Sequence, residues 1–368
     1  MAWTALSGLA PVYPLYALLF LDTGLSAAQV SGLFALWSVT GLLAEVPTGV
    51  LADRWSRRGA LVLAGVLEAA GFVVWTVAPG LPGFAAGFVV WGVGGALVSG
   101  AAEALVYEGL AAAGAQDAFV RVRGATTATE LLVQVPTAVL AGALVEAGGY
   151  ALVGWVSVGV CLAAAALATR FPETAPTVDD GDGGGSLRSA VAEALRRPSL
   201  RLAVVAVALL GGLDALEEYF PVMARDRGVP TEFVPTAVLV VALAGAAGAA
   251  LAGRLARLPS RALPALLALS AVLLAAGALA GTAVALAAVA LSYGLYLAVL
   301  VVGEARLQEQ VPGAARATVT SVAGLGIELS ALLVFGAWAL GAAPAVAVLF
   351  LAVVPVVALG LSARVSSH

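Results

Sequence analysis

The sequence predicts an all-α membrane protein whose twelve transmembrane helices form two pseudo-symmetric bundles of six, and three observations carry that expectation. Of its 368 residues, 62% are hydrophobic and 11% charged, with a mean hydropathy of +1.04; a soluble domain is nearer half apolar and a quarter charged. The surplus apolar surface must face lipid. Windows of about 20 mainly apolar residues, the length that crosses a bilayer, recur twelve times. One long polar stretch, 170–201, splits them six and six. The 43 Gly and 17 Pro are scattered through apolar runs, which excludes a disordered or collagen-like chain.

Span 1 runs from 3 to 21 and meets Asp22 and the turn Gly24-Leu25-Ser26. No basic segment precedes it and no cleavage site follows, so it is expected to stay as a helix rather than leave as a signal peptide. Spans 2 (29–52) and 3 (59–79) are separated by the charged run Asp53-Arg54-Trp55-Ser56-Arg57-Arg58. Spans 4 (83–105), 5 (122–145) and 6 (150–169) complete the first half. The polar stretch contains Asp179-Asp180-Gly181-Asp182-Gly183-Gly184-Gly185-Ser186, too polar and glycine-rich to pack, and reads as a linker. Spans 7 (202–222), 8 (235–253), 9 (262–280), 10 (283–303), 11 (317–340) and 12 (343–362) form the second half. The expected division is therefore 1–169, a linker over 170–201, and 202–368. A β-barrel is excluded, because runs such as Ala237 to Ala252 stay apolar far beyond the roughly 10 residues of a barrel strand.

Arginine sets the orientation, since the chain has no lysine. With the N-terminus inside, sixteen of the 18 arginines fall on the cytoplasmic side and only Arg225 and Arg227 fall outside. The positive-inside bias then places both termini and the linker in the cytoplasm, in a multi-pass protein of the cell (inner) membrane.

Composition also removes most functions that need a reactive side chain. Cys161 is the single cysteine and His368 the single histidine, so neither a disulfide, a His/Cys metal site nor a histidine-based catalytic set is available. No cofactor and no metal are expected, and the protein is not expected to be an enzyme. An ATP-driven pump fails for want of a phosphate-loop lysine. A net charge of −4 without a basic, aromatic-rich cluster argues against nucleic acid. A non-transporting membrane sensor, the alternative from another class, would need a larger soluble output segment than the linker.

The two halves carry a weak internal repeat. Leu51-Ala52-Asp53-Arg54 with Arg57 ends span 2, and Leu251-Ala252-Gly253-Arg254 with Arg257 ends span 8. Such repeats mark transporters built from two related halves. Gly49-Val50-Leu51-Ala52-Asp53-Arg54-Trp55-Ser56-Arg57-Arg58 resembles the signature loop of the major facilitator superfamily, with Ser56 where that loop usually has Gly. Glu45-Val46-Pro47-Thr48, the run Ser99 to Glu108, and Leu307-Gln308 to Val311-Pro312 followed by Arg316-Ala317-Thr318 resemble its drug-exporter-like branch. Pro136 in span 5 lacks the glycines of the antiporter signature Gly-Pro-x-x-Gly-Gly. The resemblance implies a central cavity lined by spans 1, 4, 7 and 10, with spans 2, 5, 8 and 11 beside it and 3, 6, 9 and 12 outside.

Within that frame the signature loop reads as a conformational latch of Gly49, Asp53, Arg54, Arg57, Arg58 and Glu108. Asp53 suits the positive end of a neighbouring helix, span 11 being the expected one. The arginines suit an acid on span 4, with Glu108 the nearest candidate. The plainer reading is that the arginines only fix topology.

Acids inside the spans are the strongest functional signal, because an ionisable group near the midplane costs at least about 2.5 kcal/mol on insertion scales. Asp214, Glu328 and Glu68 fall near helix centres and Glu130 about a turn away, with no basic residue at comparable depth. That balance suits protons or cationic substrates and not phosphates or dicarboxylates. Asp214, on cavity-lining span 7, leads. Glu217 and Glu218 follow at i+3 and i+4, on the same face and nearer the periplasm, and either share a proton with it or solvate the helix mouth beside Arg225. Glu130 and Glu328 are related by the pseudo-twofold, as protonation or substrate sites or as neutral carboxyls bonded to Ser or Thr. Glu68 lies on an outer span and packs against span 2 or has a function. Glu103 with Tyr107 is expected to face the cavity, while Glu45 and Glu304 belong to gate networks. Tyr13, Tyr16, Tyr293 and Tyr296, three apart on spans 1 and 10, either wall a site for a lipophilic cation or simply pack.

The expected function is secondary active transport by alternating access: proton-coupled efflux of small amphipathic or cationic organic compounds, that is, an antiporter, working as a monomer in the lipid bilayer. The alternative on the same fold is an importer or facilitator of a small neutral metabolite.

Overall fold

The computed structural model describes residues 1–172, 197–259, 261–280, 285–311 and 316–361, with no side-chain description for 316–318. Most of the 170–201 linker, including Ser186, therefore lies outside the described residues, as do the arginines at 188, 196 and 364 and the loop before span 11. Nine helices among the described residues are long and apolar enough to cross a bilayer. Two of them contain a break, so they hold four spans, and span 1 is assembled from shorter pieces. All twelve expected spans are accounted for.

The two long helices break in the same way. Phe119–Ala168 carries spans 5 and 6 and turns at Gly148 (φ −156°, ψ 19°) and Gly149 (φ 63°, ψ −165°). Arg316–Gly360 carries spans 11 and 12 and turns at Gly341 (φ −164°, ψ 23°) and Ala342 (φ 50°, ψ −148°). Similar dihedrals at equivalent places in the halves show the internal repeat at the level of the backbone. The second residue of each pair needs positive φ with extended ψ, a region almost confined to glycine. Ala342 is the one described non-glycine residue with positive φ. Ala342→Gly should therefore stabilise the protein, by about 1 kcal/mol, read as a higher midpoint of thermal unfolding in detergent.

Span 1 departs from the continuous helix expected over 3–21. It consists of Ala2–Ser7 and Tyr16–Asp22 joined by turns. Pro11 and Pro14 supply the reason, because neither has an N–H for the ladder and each ring crowds the preceding turn. Inside a membrane the freed polar groups need partners. The Gly8 carbonyl accepts from Thr137 Oγ1 (3.0 Å), and Val12 N donates to Ser157 Oγ (3.1 Å). The break is thus tied to spans 5 and 6.

The chain folds as two compact units, 1–179 with 230–239, and 180–229 with 240–368. In the first, spans 2 and 3 pack on span 4, and span 3 packs on span 6. Its centre is aromatic. Tyr16 touches Phe20, Phe34, Trp75, Phe88 and Trp91, with ring centroids 5.8 to 6.1 Å apart. The opening residues of span 8, Pro230–Leu239, group with this unit, and the Glu232 carbonyl lies over Gly142 of span 5. In the second unit, span 7 packs on spans 11 and 12, and span 9 on span 10. Ser270 and Ser292 bind each other's carbonyls across spans 9 and 10 at 2.9 and 2.7 Å.

Candidate functional site

Span 7 is irregular, and its irregular part carries the acids. Pro198–Gly212 is α-helical, Leu213–Tyr219 is a 3-10 helix, and Phe220–Arg225 is α-helical again. Gly211 and Gly212 weaken the helix before the change. Pro221 cannot donate to the Glu217 carbonyl, which accepts from Phe220 N instead. With three residues per turn, Glu217 comes to lie over Asp214, while Glu218 is rotated by about a third of a turn. This corrects the expectation that Asp214, Glu217 and Glu218 share one face.

Tyr293 of span 10 completes the site. Its hydroxyl donates to Asp214 Oδ1 at 3.0 Å, and Glu217 lies one 3-10 turn from Asp214. The ring is buried, edge-on to Phe220 at 4.9 Å and stacked with Tyr296 at 5.8 Å. Span 8 makes room for it with Gly245. A Cβ there would stand 2.6 Å from Tyr293 Cε1, so only glycine admits the ring. Glu304 lies three turns along the same helix from Tyr293. Glu217 and Glu304 are exposed and Asp214 is half-buried.

Two like-charged carboxyls one 3-10 turn apart repel each other, and binding one proton or one organic cation relieves that repulsion. The arrangement can therefore pass between a charged and a discharged state without rebuilding the helix. Among the described residues no three His, Cys, Asp or Glu side chains are gathered for a metal ion.

Tyr296 does not wall a site. It is fully buried, and its hydroxyl donates to the Leu210 carbonyl at 2.8 Å, at the last α-turn before the 3-10 stretch. Beyond the acids, Arg227 holds the C-terminal end of span 7. It donates to the Met223 carbonyl (2.6 Å) and twice to the Gly277 carbonyl at the end of span 9, once at 2.9 Å and once more closely. Sequence reasoning read Arg227 only as a topology residue; its burial could not be seen from a flanking loop.

The first unit holds the arginine bridge. Arg57 binds Asp53 at 2.9 Å and also pairs with Glu108 of span 4. One guanidinium thus joins the end of span 2, the start of span 3 and the end of span 4. Ser56 caps span 3, its Oγ accepting from Gly59 N at 2.8 Å. Ser56 thereby has a use where the signature loop usually has Gly. Arg58 points elsewhere and donates to the Phe171 carbonyl. Arg54 is exposed and Gly49 lies beside Gly100 of span 4.

The remaining candidates are dispersed. Glu130, Glu328 and Glu103 are exposed, and Tyr107 is half exposed, edge-on to Phe119. Glu45 accepts from Ser99 Oγ at 3.5 Å. Glu68 lies against span 4, its Cγ 3.5 Å from where a Gly94 Cβ would stand. Tyr13 and Tyr16 belong to the aromatic centre, where Trp91 is stacked between Tyr13 (5.6 Å) and Trp37 (5.0 Å). Tyr13 sits in the interrupted part of span 1, so its spacing to Tyr16 is not helical.

No curated protein matches the chain. Solved structures do. A variant of the nucleoside transporter NupG is 13% identical, covering 97% of each chain at a TM-score of 0.75. A bacterial homolog of the human lysosomal transporter Spinster is 13% identical over 97% of this chain and 92% of its own, at 0.73. A D-xylose–proton symporter is 15% identical over 97% and 96%, at 0.72. At such identities they speak for the fold. The family profile of the Major Facilitator Superfamily matches residues 1–335. With twelve spans, a backbone repeat and the bridged signature loop already in place, that match leaves one conclusion: the chain belongs to the Major Facilitator Superfamily, as a multi-pass membrane transporter.

Proposed function

We propose that the protein is a proton-coupled exporter of small amphipathic or cationic organic compounds, working by alternating access between the halves 1–169 and 202–368. The observation that carries this reading is Asp214 bonded to Tyr293, with Glu217 one 3-10 turn away, in an interrupted span whose sequence holds no base between Arg201 and Arg225. A proton and an organic cation are then competing ligands for one negative site, and exchange follows from that competition. The arginine bridge around Arg57 biases which state the first half adopts. The protein acts as a monomer in the cell membrane with both termini cytoplasmic. Ethidium accumulation in cells with and without the protein tests the reading. Lower accumulation that returns to the control level when the proton gradient is collapsed supports it; equal accumulation in the two strains overturns it.

A second reading, passage of a small neutral metabolite, is favoured by Pro136, which lacks the glycines of the antiporter signature. Under it, ethidium accumulation is unchanged and uptake of a neutral solute such as a nucleoside or pentose rises.

The orientation has its own test. A cysteine placed by Ser186→Cys, in an otherwise Cys161→Ala background, should resist an impermeant maleimide added to whole cells and react after permeabilisation. Labelling from outside would reverse the topology.

A further inference from the structure

Trp55, Arg58, Gly59, Val62, Leu63 and Val66, with Thr169 at the end of span 6, line a groove of about 440 Å³ on the first unit. That volume lies within the roughly 300–1,000 Å³ of ligand sites. The groove has a direction. At one end Arg58 reaches the Phe171 carbonyl through Nη1 (3.4 Å), and the exposed Arg54 and Arg170 flank the lining residues in sequence. Trp55, 55% exposed, folds back so that its Cη2 stands 3.1 Å from where a Gly59 Cβ would be. Toward the bilayer centre the lining turns aliphatic, with Val62 and Val66 one turn apart on span 3 and Val66 44% exposed. The acids near the loop, Asp53 and Glu108, are engaged by Arg57.

Cationic side chains and an indole at the surface, followed by an aliphatic strip toward the membrane interior, complement a molecule with an anionic head and an alkyl tail. We propose that this groove binds an anionic phospholipid of the cytoplasmic leaflet, its phosphate beside Arg58 and Trp55 and one acyl chain along Val62 and Val66. The occupant holds the start of span 3, where Arg57 makes its bridge. The proposal stands apart from the transported substrate and from the coupling ion.

Native mass spectrometry of the delipidated full chain, with dioleoylphosphatidylglycerol or dioleoylphosphatidylcholine added, tests it. The parent should retain phosphatidylglycerol in preference to phosphatidylcholine. Arg58→Gln should lower that retention about fivefold, the effect of one arginine at an anionic surface. Arg58→Lys, which keeps the charge, should retain it and shows that the site survives substitution. Val66→Trp should lower it by filling the aliphatic strip, and Arg121→Gln, at an exposed arginine elsewhere, should not. Equal retention by Arg58→Gln, an Arg121→Gln loss as large as that of Arg58→Gln, or indifference to Val66→Trp would each overturn the proposal. So would equal retention of the two lipids.

Discussion

Asp214→Asn should abolish gradient-driven movement of ethidium in proteoliposomes while leaving passive exchange partly intact. Asparagine keeps the size of the side chain and an oxygen for the Tyr293 hydroxyl, which lies 3.0 Å from Asp214 Oδ1. It removes the charge that a proton would otherwise remove. The variant is therefore fixed in the discharged state, and the imposed pH gradient has nothing left to act on at this site. The gradient-dependent rate should fall at least about tenfold, the factor that 1.4 kcal/mol represents. Glu217→Gln should lower it less, because Asp214 keeps its charge and its phenol. Tyr293→Phe should leave transport measurable but shift its pH dependence, since Asp214 loses its phenol donor. An Asn variant that still answers the gradient like the parent would move the coupling role away from Asp214, to Glu130 or Glu328.

Arg57→Gln should leave the protein inserted and folded yet reduce transport several-fold, because three helix ends lose their common tie. The effect should exceed that of either acid alone. Of the acids, Glu108 has a side chain only 20% exposed and Asp53 one that is 59% exposed. Exposed ion pairs are worth about 0–1 kcal/mol, whereas shielded ones cost more to break. Glu108→Gln should therefore weaken transport more than Asp53→Asn. Cysteine accessibility on the two faces of the membrane, compared with the parent, reads the underlying shift in conformation. Equal transport and equal accessibility in Arg57→Gln would reduce the bridge to a topology determinant.

The spans were legible because lipid leaves so little choice: a window such as Ala262–Leu279 can only be a membrane helix. What composition could not show was where helices stop being regular. Pro11 and Pro14 stood in plain view inside span 1, yet the partners that make a break tolerable, Thr137 and Ser157, come from spans more than 120 residues away. The same holds for span 7, where Gly211, Gly212 and Pro221 were the signal for the 3-10 stretch. Reading them would have separated Glu218 from Asp214 and Glu217. Arg57 with Asp53 and Glu108 was legible from motif spacing, although which arginine makes the bridge was not. Tyr293 and Tyr296 share a helix and spacing but not a role, because one hydroxyl meets a carboxyl and the other a freed carbonyl. Glu68 lies beside Gly94 because span 3 presents that side to span 4, a matter of helix rotation that sequence period leaves open.

Luminal pH recorded with pyranine in proteoliposomes, during movement of tetraphenylphosphonium down its own gradient, tests the central claim most directly. The membrane potential is clamped and protein-free vesicles give the leak. The account predicts that protons move opposite to the cation, and that Asp214→Asn abolishes the pH change while part of the cation flux remains. Cation flux through the parent with no accompanying pH change would contradict it.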